Sequence, residues 1–232
     1  MIVDCLSDLH GHFPDLQGGD LLLLAGNYTE TGSLKEWATF FSWLKHQKYE
    51  KKIIVAGNHD NFLEQTYPRN EKEAEQLKEV VEFLRSEGEQ EHPDFTYLCD
   101  SGTEFGGYKI WGSPWYPFFP HIHPKFMAFV GTEMHLQRQF KLIPSDTNIL
   151  ITHTPPHGIL DVTQKGINGG SISLEDRVFY ILHLELHVFG HIRESAGIQE
   201  RTHGASDKYI SVNASHVNEH YHPVNAPIRV IL

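Results

Sequence analysis

Five short stretches of this chain place carboxylate, amide or imidazole side chains directly after an apolar run. They are Asp8 and His10 in SDLHG, Asn27 in AGNYT, Asn58, His59 and Asp60 in AGNHDN, His153 in ITHTPP, and His191 in FGHIR. Oxygen and imidazole donors without cysteine suit manganese, iron or zinc rather than a thiolate-bound ion. Taken singly, each has an ordinary explanation: Asp8 can cap a helix, Asn27 or Asn58 can serve a turn, and His153 can be a core histidine with satisfied nitrogens. Ligands of open α/β sheets, however, bind beyond the carboxyl ends of the strands. Five such residue groups at five strand ends therefore predict one shared polar pocket. Arg193, two residues after His191, poses the opposing question, because a guanidinium stays protonated and cannot ligate a cation.

The elements that must position these residues are visible as apolar runs. IVDCL, LLLLAG at 21–26, KIIVAG at 52–57, NILIT at 148–152, HVFG at 187–190 and YISVNAS at 209–215 each read as a buried strand. Between the second and third lies SLKEWATFFSWLKHQ, in which Ser33 and Glu36 form a capping box and Leu34, Trp37, Phe41 and Leu44 share a helical face. That segment predicts a β-α-β unit. Further helices are expected over 71–86, carrying Leu77, Val80, Val81 and Leu84 on one side, and over 132–140 and 173–184. FTYLCD and GYKIWGS around Gly106-Gly107 read as a hairpin in a mixed or antiparallel sheet. PIRVIL reads as a closing strand, and the KGINGG loop between Gly158 and Gly170 as a mobile rim.

A chain of 232 residues with 40% hydrophobic content can fill one continuous core, and a single domain over 1–232 is the expectation. Its formal net charge of -11 opposes a long nucleic-acid partner but leaves a small phosphate possible. Two cysteines, Cys5 and Cys99, permit a reducing compartment. Residues 1–7 already read as a strand rather than a leader, and no run approaches the roughly 18 apolar residues of a membrane span. The expected location is cytoplasmic, with no membrane partner. Among the 17 histidines, His216, His220 and His222 in SHVNEHYHPVN are read as a surface cluster rather than a second metal site.

The series Asp8-x-His10, Gly26-Asn27, Gly57-Asn58-His59-Asp60, His153 and Gly190-His191-x-Arg193 resembles the signature of calcineurin-like metallophosphoesterases, from Asp8 to Arg193. GSPW at 112–115, THTPPHG at 152–158 and the NAS...PVN..I pattern are similar to the small metallophosphoesterase-domain-containing branch. The resemblance implies an α/β fold of four layers, α-β-β-α, in which a β-sandwich of mixed sheets is flanked by helices. It implies a first ion held by Asp8, His10 and the residues at 27 and 193. It implies a second held by the residue at 27 as a bridge, with Asn58, His153 and His191. Two such ions, ~3.5–4 Å apart, clamp a phosphate and generate a hydroxide for in-line attack. His59 would protonate the leaving oxygen or stabilise the transition state, with Asp60 orienting its imidazole. Manganese is the expected ion, with iron or zinc as alternatives.

Two residues depart from that pattern, which has an aspartate at position 27 and a histidine at position 193. Asn27 offers one neutral oxygen, and Arg193 offers none. Each change adds about one positive charge, together matching the loss of one divalent ion. One reading therefore puts Arg193 at the first-ion position as a bidentate phosphate anchor, with a single ion at Asn58, His153, His191 and Asn27. In another, Arg193 points to solvent or pairs with Asp8. An asparagine at position 27 is also the substitution that traps an intact ligand. The resulting functional expectation is a metal-dependent phosphoesterase acting on a nucleotide or cyclic nucleotide, bound through Arg193, Asn58 and His59, with activity weakened by Asn27 and Arg193. Trp115, Tyr116 and Phe118 could stack on a base. The alternative is a weak or silent nucleotide-binding relative.

Overall fold

The apolar runs become strands covered on both faces. The computed structural model describes residues 1–64, 75, 93–118, 128–203 and 207–232. Its strands are β1 (Ile2–Leu6), β2 (Gly19–Leu24), β3 (Tyr49–Val55), β4 (Phe95–Leu98), β5 (Ser101–Phe105), β6 (Tyr108–Ser113), β7 (Tyr116–Pro117), β8 (Val130–Gly131), β9 (Ile149–Thr152), β10 (Leu186–Phe189), β11 (Gly197–His203), β12 (Asp207–Asn213) and β13 (Ile228–Ile231). One sheet runs β13-β1-β2-β3-β4, with β1 to β4 parallel and β13 antiparallel to β1. The other runs β11-β12-β10-β9-β6-β5, parallel from β12 to β6 and antiparallel at both edges.

Alternation along each strand sorts side chains between two cores. Leu21 and Leu23 of β2 pack into the layer between the sheets with Val3, Val55, Ile151 and Val188, while Leu22 and Leu24 face the opposite way onto Trp37, Phe40 and Leu44. These last three belong to α1 (Leu34–Lys45), whose Ser33–Glu36 capping box is formed in full. Phe40, rather than the expected Phe41, is the buried ring of that helix; Phe41 lies at its flank. Beyond the second sheet, α2 (Glu133–Phe140) and α3 (Ile172–Val178) cover Leu150 and Tyr209 through Leu136, Phe140, Leu174 and Val178. The order is therefore helix, sheet, sheet, helices, the four-layer α-β-β-α arrangement the sequence implied.

Three local expectations need correction. FTYLCD does not pair with the next run: β4 joins the first sheet beside β3, and the hairpin instead joins β5 to β6 through Gly106-Gly107. Both glycines have positive φ, 58° and 86°, which a two-residue hairpin turn of the primed type requires. The helix expected to reach residue 184 ends at Val178. The Gly158–Gly170 loop is tied down by buried Asp161, which accepts from the Gly158 and Gly170 amides and from Asn168 Nδ2. The helix expected over 71–86 lies, apart from residue 75, outside the described residues. Among the described residues no helix is long and apolar enough to cross a membrane.

Candidate metal and phosphate site

The parallel strands of the two sheets end side by side, and their ends are stitched together. Ser7, just after β1, forms a bridge with Ser215, just after β12; Ser7 N donates to Ala214 O at 2.8 Å and His216 N to Ser7 O at 2.8 Å. Gly190, after β10, passes so close behind this seam that a Cβ there would lie 2.1 Å from Ser7 Oγ and 2.2 Å from Asp8 Oδ2. That contact explains why Gly-His follows the strand. The loops carry left-handed backbone at non-glycine residues: Asp8 (φ 51°), His10 (43°), Asn27 (58°), His191 (67°) and Tyr221 (62°). Such conformations cost about 1–3 kcal/mol each and gather where a site is shaped against local preference.

Asn58, His153 and His191 converge. Asn58 Oδ1 lies 2.9 Å from His153 Nε2, 3.2 Å from His191 Nδ1 and 3.1 Å from Asn27 Nδ2. The orientation of Asn27 is settled by the backbone, because its Oδ1 accepts from His59 N at 2.9 Å, leaving Nδ2 to face Asn58. The atom of Asn58 that meets it must then be oxygen. On the other side of the imidazole, His153 Nδ1 lies 2.8 Å from the Ala25 carbonyl, an acceptor only. A neutral imidazole has one N–H. If it serves Ala25, the Nε2 lone pair faces the Asn58 oxygen lone pair at 2.9 Å. A cation between them would resolve that contact. Burial pushes His153 below its ordinary value, which disfavours a proton in that role. Ligands ~2.1 Å from one ion and at right angles are roughly 3 Å apart, so this donor set fits a divalent ion.

The neighbouring position does not. Asp8 Oδ2 accepts from Ser7 Oγ (2.8 Å), Ser215 Oγ (2.9 Å) and His191 N (2.8 Å), and Asp8 Oδ1 accepts from Asn27 Nδ2 (3.0 Å). Arg193 Nη1 approaches His10 Nε2 at 3.3 Å; a guanidinium can only donate, so the ring nitrogen is an acceptor there and its separation of 3.7 Å from Asp8 Oδ1 is not a hydrogen bond. Burial opposes the charge on Asp8, yet the His10 and His153 imidazoles and the Arg193 guanidinium hold its carboxyl well below the usual carboxylate range. Asp8, His10 and Asn27, expected as ion ligands, are met here by the chain itself: each presents its acceptor to a donor of the chain, and Asn27 also presents an N–H. Among the described residues no group of three or more His, Cys, Asp or Glu side chains could hold an ion. Asn27, Asn58 and Arg193 occupy three of the positions concerned.

His59 and Asp60 also divide their work differently from the expectation. Asp60 accepts from the amides of Asn27 (2.7 Å), Gly57 (2.9 Å), Tyr28 (3.1 Å) and Thr29 (3.2 Å) and from Thr29 Oγ1 (3.0 Å). It knits the loops after β2 and β3 together. The imidazole of His59 is oriented instead by the Glu30 carbonyl, 2.7 Å from Nδ1, and by the edge of the His10 ring, with centroids 4.5 Å apart. Burial, aided by His10, pushes His59 down to about 3.

Arg193 does not pair with Asp8. Its guanidinium lies over the Tyr221 ring at 4.2 Å, and that ring also meets His10 edge-on at 4.8 Å. Tyr221 was hidden within the histidine-rich SHVNEHYHPVN segment, whose His220 and His222 are exposed as expected, while His216 is half-buried with Nδ1 on the Asn225 carbonyl at 2.7 Å. Ser7 and Ser215 lie within the SDLHG and NAS stretches, but nothing in the sequence assigned either of them a role. Of the three aromatics proposed for base stacking, Tyr116 is fully buried against His191, Trp115 is half-buried with its indole N–H on Asp100, and Phe118 is 53% exposed.

A two-sheet sandwich flanked by helices, with carboxylate, amide and imidazole groups at its joined strand ends, has the fold of metallophosphoesterases. The chain belongs to the calcineurin-like phosphoesterase family, whose model matches residues 1–194 and whose members usually bind divalent metals. Metallophosphoesterase domain-containing protein 1 from Homo sapiens is 34% identical over 247 residues, spanning 98% of this chain and 70% of the relative, as is its Mus musculus counterpart. A Caenorhabditis elegans UPF0046 protein is 30% identical across 84% of the chain and 69% of its own length. The crystal structure of TT1561 of Thermus thermophilus shares the fold at a TM-score of 0.61, with 18% identity over 91% of this chain and 88% of that one.

Proposed function

We propose that this chain is a metal-dependent phosphoesterase that hydrolyses a small phosphodiester or phosphomonoester of the nucleotide or cyclic-nucleotide class, at a rate held down by Asn27 and Arg193. The observation that carries this reading is the facing pair of acceptors, His153 Nε2 and Asn58 Oδ1, 2.9 Å apart with His191 beside them. Bound there, a divalent ion, with manganese the expected one, would polarise a phosphate oxygen and lower the pKa of a water for in-line attack on phosphorus. The chain's own residues supply the rest. The Glu30 carbonyl fixes the His59 ring through Nδ1–H, so that Nε2 of the neutral ring faces the site as an acceptor and would have to take up a proton there before passing it to the leaving oxygen. Asp60 acts through the backbone, holding the Asn27 and Asn58 loops at one spacing. A buried seam of Ser7, Ser215 and Gly190 keeps water away from the back of Asp8.

A second reading, a nucleotide-binding relative without turnover, is favoured by one observation: donors of the chain already meet the acceptors of the neighbouring ion position. Hydrolysis of bis-nitrophenyl phosphate with added manganese separates the two readings. The enzyme reading expects measurable turnover, a gain for Asn27→Asp, and a loss of about 100-fold or more for His59→Ala. Absence of turnover in all three, with nucleotide still bound, would leave the binding reading standing.

A further inference from the structure

We propose that Arg193 is the built-in cation of this site: it closes the first-ion position and anchors the substrate phosphate without metal, leaving a single ion at Asn58, His153 and His191. The proposal rests on the phosphoesterase reading for the nature of the ligand and goes beyond it in naming the anchor and the number of ions.

Three observations converge. The first is how the acceptors are already occupied. Around Asp8 and His10, the lone pairs an ion would use are met by Ser7, Ser215, the His191 amide, Asn27 Nδ2 and Arg193 Nη1, and Asn27 is held in that orientation by the His59 amide. An ion entering here would face an amide N–H and a guanidinium.

The second is that Arg193 is clamped rather than loose. Its guanidinium lies 4.2 Å over Tyr221, and Tyr221 is held in a left-handed backbone conformation, φ 62°, by a loop closed on Asn218. Asn218 Oδ1 accepts from the His220 and His222 amides at 3.0 Å each, and Tyr221 N donates to the Asn218 carbonyl at 2.9 Å. A bulky aromatic residue in that conformation marks a loop shaped for its side chain's position.

The third is unused donor capacity. Arg193 is half-exposed, and among the described residues its side chain makes one hydrogen bond, to His10, while its Nε is buried without a partner. Buried His10 Nδ1 is also without a partner among the described residues. A planar five-donor fork with one bond made is suited to bidentate phosphate recognition. His59 stands one ring away, with its centroid 4.5 Å from that of His10 and 6.2 Å from that of Tyr221. The phosphate would thus lie between the guanidinium and the ion-binding trio, its charge shared by one divalent ion and one fixed cation.

The test measures ions and anion separately. Wild-type protein equilibrated with manganese and analysed by elemental mass spectrometry is expected to hold one ion per chain, and Asn27→Asp/Arg193→His two. Inorganic phosphate titrated calorimetrically in the presence of a chelator is expected to bind wild type. Arg193→Met should weaken that binding by tenfold or more, and Tyr221→Leu, which removes only the platform, by roughly threefold to tenfold. Two ions in wild type, or equal phosphate affinity in Arg193→Met, overturns the proposal. Phosphate binding through Arg193 with no phosphodiester turnover would instead sink the hydrolytic reading and leave this one standing.

Discussion

Asp4 and Asp8 leave the same strand four residues apart, and both carboxylates are buried, yet they are satisfied in opposite ways. Asp4 is gripped by a formal cation: Arg229 donates from Nε to Oδ1 and from Nη2 to Oδ2, both at 2.7 Å, and the Tyr49 hydroxyl completes the set. Asp8 is met by neutral donors, namely two serine hydroxyls, an amide N–H and the Asn27 side chain. The first arrangement cancels a charge and ties β1 to β13. The second keeps the carboxylate ionised while leaving its field largely open, so a cation nearby is favoured without having to touch it. A buried charge neutralised in place is architecture; one solvated by dipoles is equipment.

Three changes break or sharpen that contrast. The largest effect is expected from Gly190→Ala, whose Cβ would meet Ser7 Oγ at 2.1 Å and Asp8 Oδ2 at 2.2 Å. Overpacking of this kind should cost about 3 kcal/mol and remove phosphate-ester turnover, whereas Gly107→Ala, with nothing within 4 Å of its Cβ, meets only the strain of its left-handed backbone and should cost about 1 kcal/mol and spare turnover. Urea midpoints compare the two; a wild-type midpoint for Gly190→Ala would refute the Asp8 cradle. Next comes Asp4→Ala, which leaves the Tyr49 hydroxyl buried without its acceptor. A loss of about 2 kcal/mol in the same assay, with turnover per folded molecule unchanged, is expected if Asp4 is architectural.

The smallest effect belongs to Glu36, a half-exposed carboxylate in the α1 capping box. Burial opposes its charge, but hydrogen bonds from Ser33 and Thr31 and from backbone amides prevail and hold it at about 2, against an ordinary 4.5. A depressed folded-state value stabilises fully above the ordinary value and fades as pH falls toward 2. Wild type should therefore lose stability between about pH 4.5 and 2 slightly more steeply than Glu36→Gln. Parallel curves would show that solvent screens the cap completely.

Much of this was legible in the residues because it depends on local rules. Strands buried on both faces read as unbroken apolar runs, and the Ser33–Glu36 pair announced α1. The errors fell where tertiary context decides. Phe40 and Phe41 differ by 100° around a helix, and only docking onto Leu22 and Leu24 selects the former. β4 parts from β5 at Asp100, whose φ of 46° turns the chain out of one sheet and into the other, a crossing no periodicity reports. That the residues after β1, β2, β3, β9 and β10 come together was legible because strand ends can be read. Asp60's employment by four backbone amides and Tyr221's stack on Arg193 could not be, since each depends on segments distant in sequence meeting in space.

The bridge between Ser7 and Ser215 carries a consequence for how this pocket comes into being. Asp8 receives the Ser215 hydroxyl across a sequence separation of 207 residues, so the cradle is complete only after β12 has docked. Contacts of such long range are slow to form. A refolding chain should regain its helical signal early and its phosphate-binding pocket last, making recovered phosphate binding a clock for the final joining of the two sheets.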